Sequence, residues 1–134
     1  MTSQEGSYKV WIEDGILYNE YHGKISIDTV LEVEKKSVEL ITQEKIQLIP
    51  SIVTFDVKDE DFQLNVSSWG KIVSGFHLLN YLSCIVVIKV SERIKKILSI
   101  PDHVFLKNRI KYADNLEEAK EIIGTVNENK ESLI

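Results

Sequence analysis

The chain has 134 residues, 43% of them hydrophobic and 28% charged, with a formal net charge of −5. That length is one domain's worth and buries roughly 65–70% of the unfolded surface, while the composition argues against extensive disorder. The acidic balance excludes the concentrated basic face that duplex nucleic acid or an anionic membrane requires.

Tyr8 to Glu13 alternates as a strand does, with Tyr8, Val10 and Ile12 on one face and Lys9, Trp11 and Glu13 on the other. Asp14-Gly15 predicts a two-residue hairpin turn, and Ile16 to His22 returns as the second strand, ended by Gly23. Ser26 or Thr29 caps a helix that runs to about Gln43. Its apolar positions are Ile27, Val30, Leu31, Val38 and Ile41; Glu32, Glu34, Lys35, Lys36 and Glu39 are expected to face water.

Ile49-Pro50 breaks the pattern, and Ser51 to Phe55 follows as a strand that ends at Asp56. Lys58 to Val66 reads as a loop, and Ser67 starts a helix with Trp69, Ile72, Val73, Phe76 and Leu79 as its stripe. Leu82 to Val90 is the clearest buried strand; Ser91 caps a helix over Glu92 to Ser99, ahead of Pro101. His103 to Leu106 reads as a last strand. Asp114 caps a helix over Leu116 to Ile123, terminated by Gly124.

The reading is a single α/β domain over 1–124, with 125–134 a frayed tail. Its order, β-β-α-β-α-β-α-β-α, implies an open, mostly parallel sheet covered by helices, with the first strand antiparallel. The predicted core comprises Val10, Ile12, Ile52, Val53, Phe55, Ile72, Phe76, Ile85, Val86, Val87, Ile88 and Ile122.

This order resembles the STAS and SpoIIAA-like superfamily. The residues that carry the resemblance are the hairpin leading to Gly23-Lys24-Ile25-Ser26, then Ile52-Val53-Thr54-Phe55-Asp56 before a loop. The Ser67-Ser68-Trp69-Gly70 helix start follows, with the strand Cys84-Ile85-Val86-Val87-Ile88 and the ending Val104-Phe105-Leu106 ahead of Asn115-Leu116-Glu117-Glu118-Ala119. The resemblance implies a non-enzymatic, regulatory protein-interaction module. Some members are controlled by phosphorylation at the start of the helix after the third strand, where Asp-Ser-Ser-Gly stands compactly. Here residues 57–66 separate Asp56 from Ser67-Ser68, and Trp69 precedes Gly70, so the looser STAS- or SEC14-like relatives are the better match. On this reading Asp56, Ser67, Ser68, Trp69 and Lys71 are the candidate binding residues, and the partner is a protein, a second copy of the chain included. A small-ligand carrier for a lipid or nucleotide is the alternative.

Catalytic signatures are missing from the sequence. His22, His77 and His103 have no paired-ligand spacing, and Cys84 stands alone in an apolar run, so neither a metal nor any other cofactor is expected. Asp56, Asp59, Glu60 and Asp61 form an acidic stretch that matches no calcium loop and reads as solvated. A receiver-like phosphoacceptor site would use Asp56, Ser91 and Lys107. It lacks the carboxylates that hold magnesium after the first parallel strand, where His22-Gly23-Lys24 stand instead. The polar start, Met1 to Ser7, has no signal-peptide pattern, and no apolar run reaches a membrane span. The cytoplasm is therefore the expected address.

Overall fold

The computed structural model describes residues 7–46, 48–62, 81–101 and 110–132. Among these residues five strands, β1 (Ser7–Glu13), β2 (Ile16–His22), β3 (Ile49–Asp56), β4 (Leu82–Ile88) and β5 (Ile110–Ala113), form one sheet in the order β1-β2-β3-β4-β5. β1 is antiparallel to β2, and every later pairing is parallel. Three helices accompany the sheet among the described residues: α1 (Ile27–Gln43), α2 (Glu92–Pro101) and α3 (Leu116–Ser132). The fold is thus α/β with a mostly parallel sheet.

The hairpin forms where the sequence places it. Asp14 (φ 52°) and Gly15 (φ 75°) both occupy the left-handed region, the backbone a type I′ turn requires. Trp11 and Tyr18, paired across the two strands, stack with ring centroids 4.9 Å apart and an interplanar angle of 5°. The alternation then sends Tyr8 and Val10 to one side of the sheet and Trp11 to the other.

Each side of the sheet has its own cover. On one, Tyr21, Val87 and Ile25 pack against Val30 and Val33 of α1 and Ile94 and Leu98 of α2; Leu17, Ile49 and Leu82 meet Ile41 of α1. On the other, Ile52, Cys84, Val86, Ile88 and Ala113 pack beneath Ala119 and Ile123 of α3. Each fully buried Ile, Leu or Val contributes about 1.5–3 kcal/mol relative to an exposed one. Of the predicted core, Ile52, Val86, Val87 and Ile88 are buried. Val10, Ile12, Val53, Phe55, Ile85 and Ile122 are partly exposed and pack against the buried clusters. Ile72 and Phe76, with the whole predicted Ser67–Leu79 helix, lie outside the described residues, and so does His103–Leu106.

Several boundaries depart from the sequence reading. β3 begins at Ile49 and contains Pro50. The proline is tolerated because β2 pairs with β3 only from Ser51 onward, and the β3–β4 register shifts between Ile49 and Ser51, leaving its missing N–H without a ladder position to fill. The fifth strand is Ile110–Ala113, which the sequence reading did not assign. Ser26 caps α1, its Oγ accepting from Thr29 N. Glu34 faces inward with Val33 and Ser37, contrary to its expected solvent position. α2 extends to Pro101, its start capped by Ser91 Oγ accepting from Ile94 N. Asn115, not Asp114, caps α3, its Oδ1 accepting from Glu118 N at 2.8 Å. α3 continues through Gly124 to Ser132, past the end expected at Ile123. Nothing stands within 4 Å of where a Gly124 Cβ would lie, and the helix carries the glycine as an ordinary interior residue.

Candidate functional site

The carboxyl edge of a parallel sheet is where open α/β folds expose their connecting loops. β2 ends there at His22 and β3 at Asp56, and the parallel register places these two residues side by side. Glu20 lies two residues before His22 on the same face of β2, because side chains repeat every second residue along a strand. The intervening Tyr21 points to the opposite side and stacks on Phe55 at 5.2 Å.

Those placements put one imidazole between two carboxylates. His22 Nε2 is 2.7 Å from Glu20 Oε1, and His22 Nδ1 is 3.0 Å from Asp56 Oδ2. The exposures are graded: Glu20 28%, His22 35% and Asp56 76% by side chain. The hydrogen bond to Glu20 raises the His22 pKa most, the bond to Asp56 adds to it, and partial burial opposes both. Only the imidazolium donates from both nitrogens at once, so both contacts are hydrogen bonds together only when His22 is charged.

The backbone beyond the two strand ends is tied together as well. Gly23, at φ 78°, turns the chain after β2 and donates its N–H to the Asp56 carbonyl at 3.3 Å. A residue with a Cβ would be strained at that φ. Ile25 N donates to the Asp61 carbonyl at 2.9 Å, and Ile25 bridges Phe62, both side chains being fully buried. Phe62 meets Phe55 edge-on at 5.4 Å. Between these anchors Asp56, Lys58 and Glu60 are exposed. The acidic stretch is thus a short pinned arch, with a 3-10 turn at Asp59–Asp61.

Of the candidate binding residues, Asp56 lies in this cluster, whereas Ser67, Ser68, Trp69 and Lys71 lie outside the described residues. Glu20 and His22 are the members the sequence reading missed. Their signal was the same-face spacing Glu20-x-His22 on a strand ending beside Asp56. Of the receiver-like set, Ser91 Oγ accepts from Ile94 N as the cap of α2, and Lys107 lies outside the described residues. Among the described residues no group of three His, Cys, Asp or Glu side chains could hold a metal ion. Cys84 is buried, and burial pushes its thiol pKa up, with Ser83 and then Lys111 pulling the other way. No described helix is long and apolar enough to cross a membrane.

No protein-family model matches this chain, and neither does any curated protein sequence.

Proposed function

We propose that this chain is a non-enzymatic regulatory protein-interaction module with a STAS-like fold. Its docking surface is the segment that leaves β3 at Asp56 and runs through Ser67 and Ser68 to Trp69 and Lys71. One observation carries the reading. The base of that segment is fixed by Gly23 N on the Asp56 carbonyl, Ile25 N on the Asp61 carbonyl and the buried Phe62, while Asp56, Lys58 and Glu60 present charge to solvent. Over residues 56–62, an arch held at its feet and charged on its outer side offers a partner a surface already ordered, which lowers the entropy cost of docking. The hairpin, helix, strand and arch follow one another in the order on which the STAS resemblance rests, and this supports the fold assignment.

The test is capture of a partner identified by mass spectrometry, followed by affinity measurement with variants. Asp56→Ala, Lys58→Glu and Glu60→Lys are expected to weaken binding while leaving the fold intact, and Ser67→Glu and Ser68→Glu to change it. Unchanged affinity in all five folded variants would overturn the reading. Native mass spectrometry of the purified chain separates the alternatives: a copurifying lipid or nucleotide supports the carrier, and a two-chain mass supports self-association.

A further inference from the structure

We propose that His22 is a protonation-controlled latch on the exit from β3, tying Glu20 to Asp56 when charged and releasing Asp56 when neutral. The assignment of what it controls rests on the docking role proposed for the arch after β3, residues 56–62. The latch itself rests on the geometry of the three side chains.

The chemistry follows from the imidazole's two nitrogens. Charged, both carry hydrogens and both carboxylates accept. Neutral, the ring keeps one hydrogen and turns a lone pair toward one carboxylate, exchanging a hydrogen bond for lone-pair repulsion. The Glu20 contact, at 2.7 Å and less exposed, keeps the remaining proton; the Asp56 contact, at 3.0 Å and 76% exposed, is the one lost. Asp56 is also the residue whose carbonyl holds Gly23 N, so its freedom reaches the backbone of both connections. The surrounding charges do not supply a substitute bridge. From β1, Ser7 registers with His22 and Lys9 with Glu20, so Lys9 competes for the carboxylate that His22 retains rather than for Asp56. Thr54 precedes Asp56 on its face of β3, and Lys24 and Lys58 begin the two connections, both exposed. With the imidazole neutral, Glu20 and Asp56 are two carboxylates on neighbouring strands without a cation between them.

The experiment is an NMR pH titration of the full chain, following the His22 ring and the backbone amides of Gly23 and of residues 56–61 together. The expected result is a His22 midpoint above the ordinary histidine value, with those amides shifting at the same midpoint and the Val86 amide in β4 unmoved. Glu20→Gln and Asp56→Asn should each lower the midpoint, and His22→Gln should remove the amide transition. A midpoint at or below the ordinary value, or amides that ignore it, would overturn the latch; the parent chain alone decides this if a variant fails to fold. Partner affinity measured on either side of the midpoint tests the control. Affinity that depends on Lys58 and Glu60 but not on the His22 titration would overturn gating. Affinity insensitive to Asp56, Lys58 and Glu60, with the amide transition intact, would reject the docking surface and leave the latch standing.

Discussion

Asn19 Nδ2 donates to Ser37 Oγ at 3.0 Å across the interface between β2 and α1, and both residues are buried. The same amide donates to the Tyr18 carbonyl at 3.2 Å, and the Ser37 hydroxyl donates to the Val33 carbonyl at 2.8 Å. The chain of donors satisfies two polar side chains inside an apolar layer, where an unpaired one costs about 1–3 kcal/mol. It also fixes where α1 sits along β2.

Ser37→Ala is therefore expected to destabilise the chain by about 1–3 kcal/mol, because it strands an Asn19 N–H. Ser51 gives the contrast. Its hydroxyl is fully buried with no hydrogen-bond partner, so Ser51→Ala should be neutral or stabilising. Urea denaturation of the two variants checks both signs. Equal losses would mean the Asn19–Ser37 bond has no energetic role.

Gly124→Ala is expected to stabilise. Gly124 lies inside α3, away from the left-handed region, and open space surrounds its missing Cβ. Alanine there lowers the entropy lost on folding by roughly 0.5–1 kcal/mol. If Gly124 instead ended the helix at positive φ, the same substitution would destabilise. Thermal or chemical unfolding of this variant thus separates a helix that ends at Ile123 from one that reaches Ser132.

What could be read from the sequence was the local part. The Asp14-Gly15 turn, the β4 run and the Ser91 cap are each specified by a few adjacent residues; the turn and the cap form where they indicate, and β4 starts at Leu82 but ends at Ile88 rather than Val90, ahead of Lys89 at φ 53°. β5 was missed because four residues, Ile110-Lys111-Tyr112-Ala113, show only two cycles of alternation, too few to outweigh neighbouring segments. Glu34 was misplaced because a periodicity argument sends every charge outward. The Glu20–His22–Asp56 cluster depends on the β2–β3 register, a relation between residues 34 apart that no local pattern contains. Ser67, Ser68, Trp69 and Lys71 were chosen by resemblance, and only Asp56 of that set falls among the described residues.

Lys45 shows the opposite glycine effect. It follows α1 at φ 56°, with Lys45 N on the Thr42 carbonyl and Ile46 N on the Ile41 carbonyl, the paired bonds of a Schellman ending. Ile46 packs in the cluster that contains Ile41, completing the motif. An exposed lysine in this backbone costs about 1–2 kcal/mol that glycine avoids, offset in part by glycine's greater freedom when unfolded. Lys45→Gly should raise the unfolding midpoint. A lower midpoint would contradict the assigned helix end.

Phe62 is the side chain that seats the arch after β3. It is 1% exposed, bridges Ile25 and meets the Phe55 ring edge-on. Phe62→Ala is expected to cost about 3–5 kcal/mol, and Phe62→Leu less, since leucine refills most of the volume. The check is a denaturation midpoint at unchanged slope. A loss below about half a kcal/mol, as for typical surface substitutions, would place Phe62 outside the core.

The last prediction concerns pH. His22 titrates higher in the folded chain than its ordinary value of 6.5, chiefly through the Glu20 hydrogen bond and then the Asp56 bond. A raised folded pKa means the folded state holds the proton more tightly than the unfolded one. The resulting stabilisation is fully present below about pH 6.5 and is lost as pH rises through the folded value. Stability should therefore fall with rising pH in a window that opens just above 6.5. His22→Gln should flatten that part of the profile, because glutamine bonds the carboxylates without titrating. Cys84 acts in the same direction at more alkaline pH, since burial raises its thiol pKa, and that loss should survive in His22→Gln. Urea midpoints of the two proteins measured from pH 6 to 8 make the comparison. If the parent and His22→Gln profiles run parallel across that window, the two carboxylates do not hold a charged histidine in the folded chain.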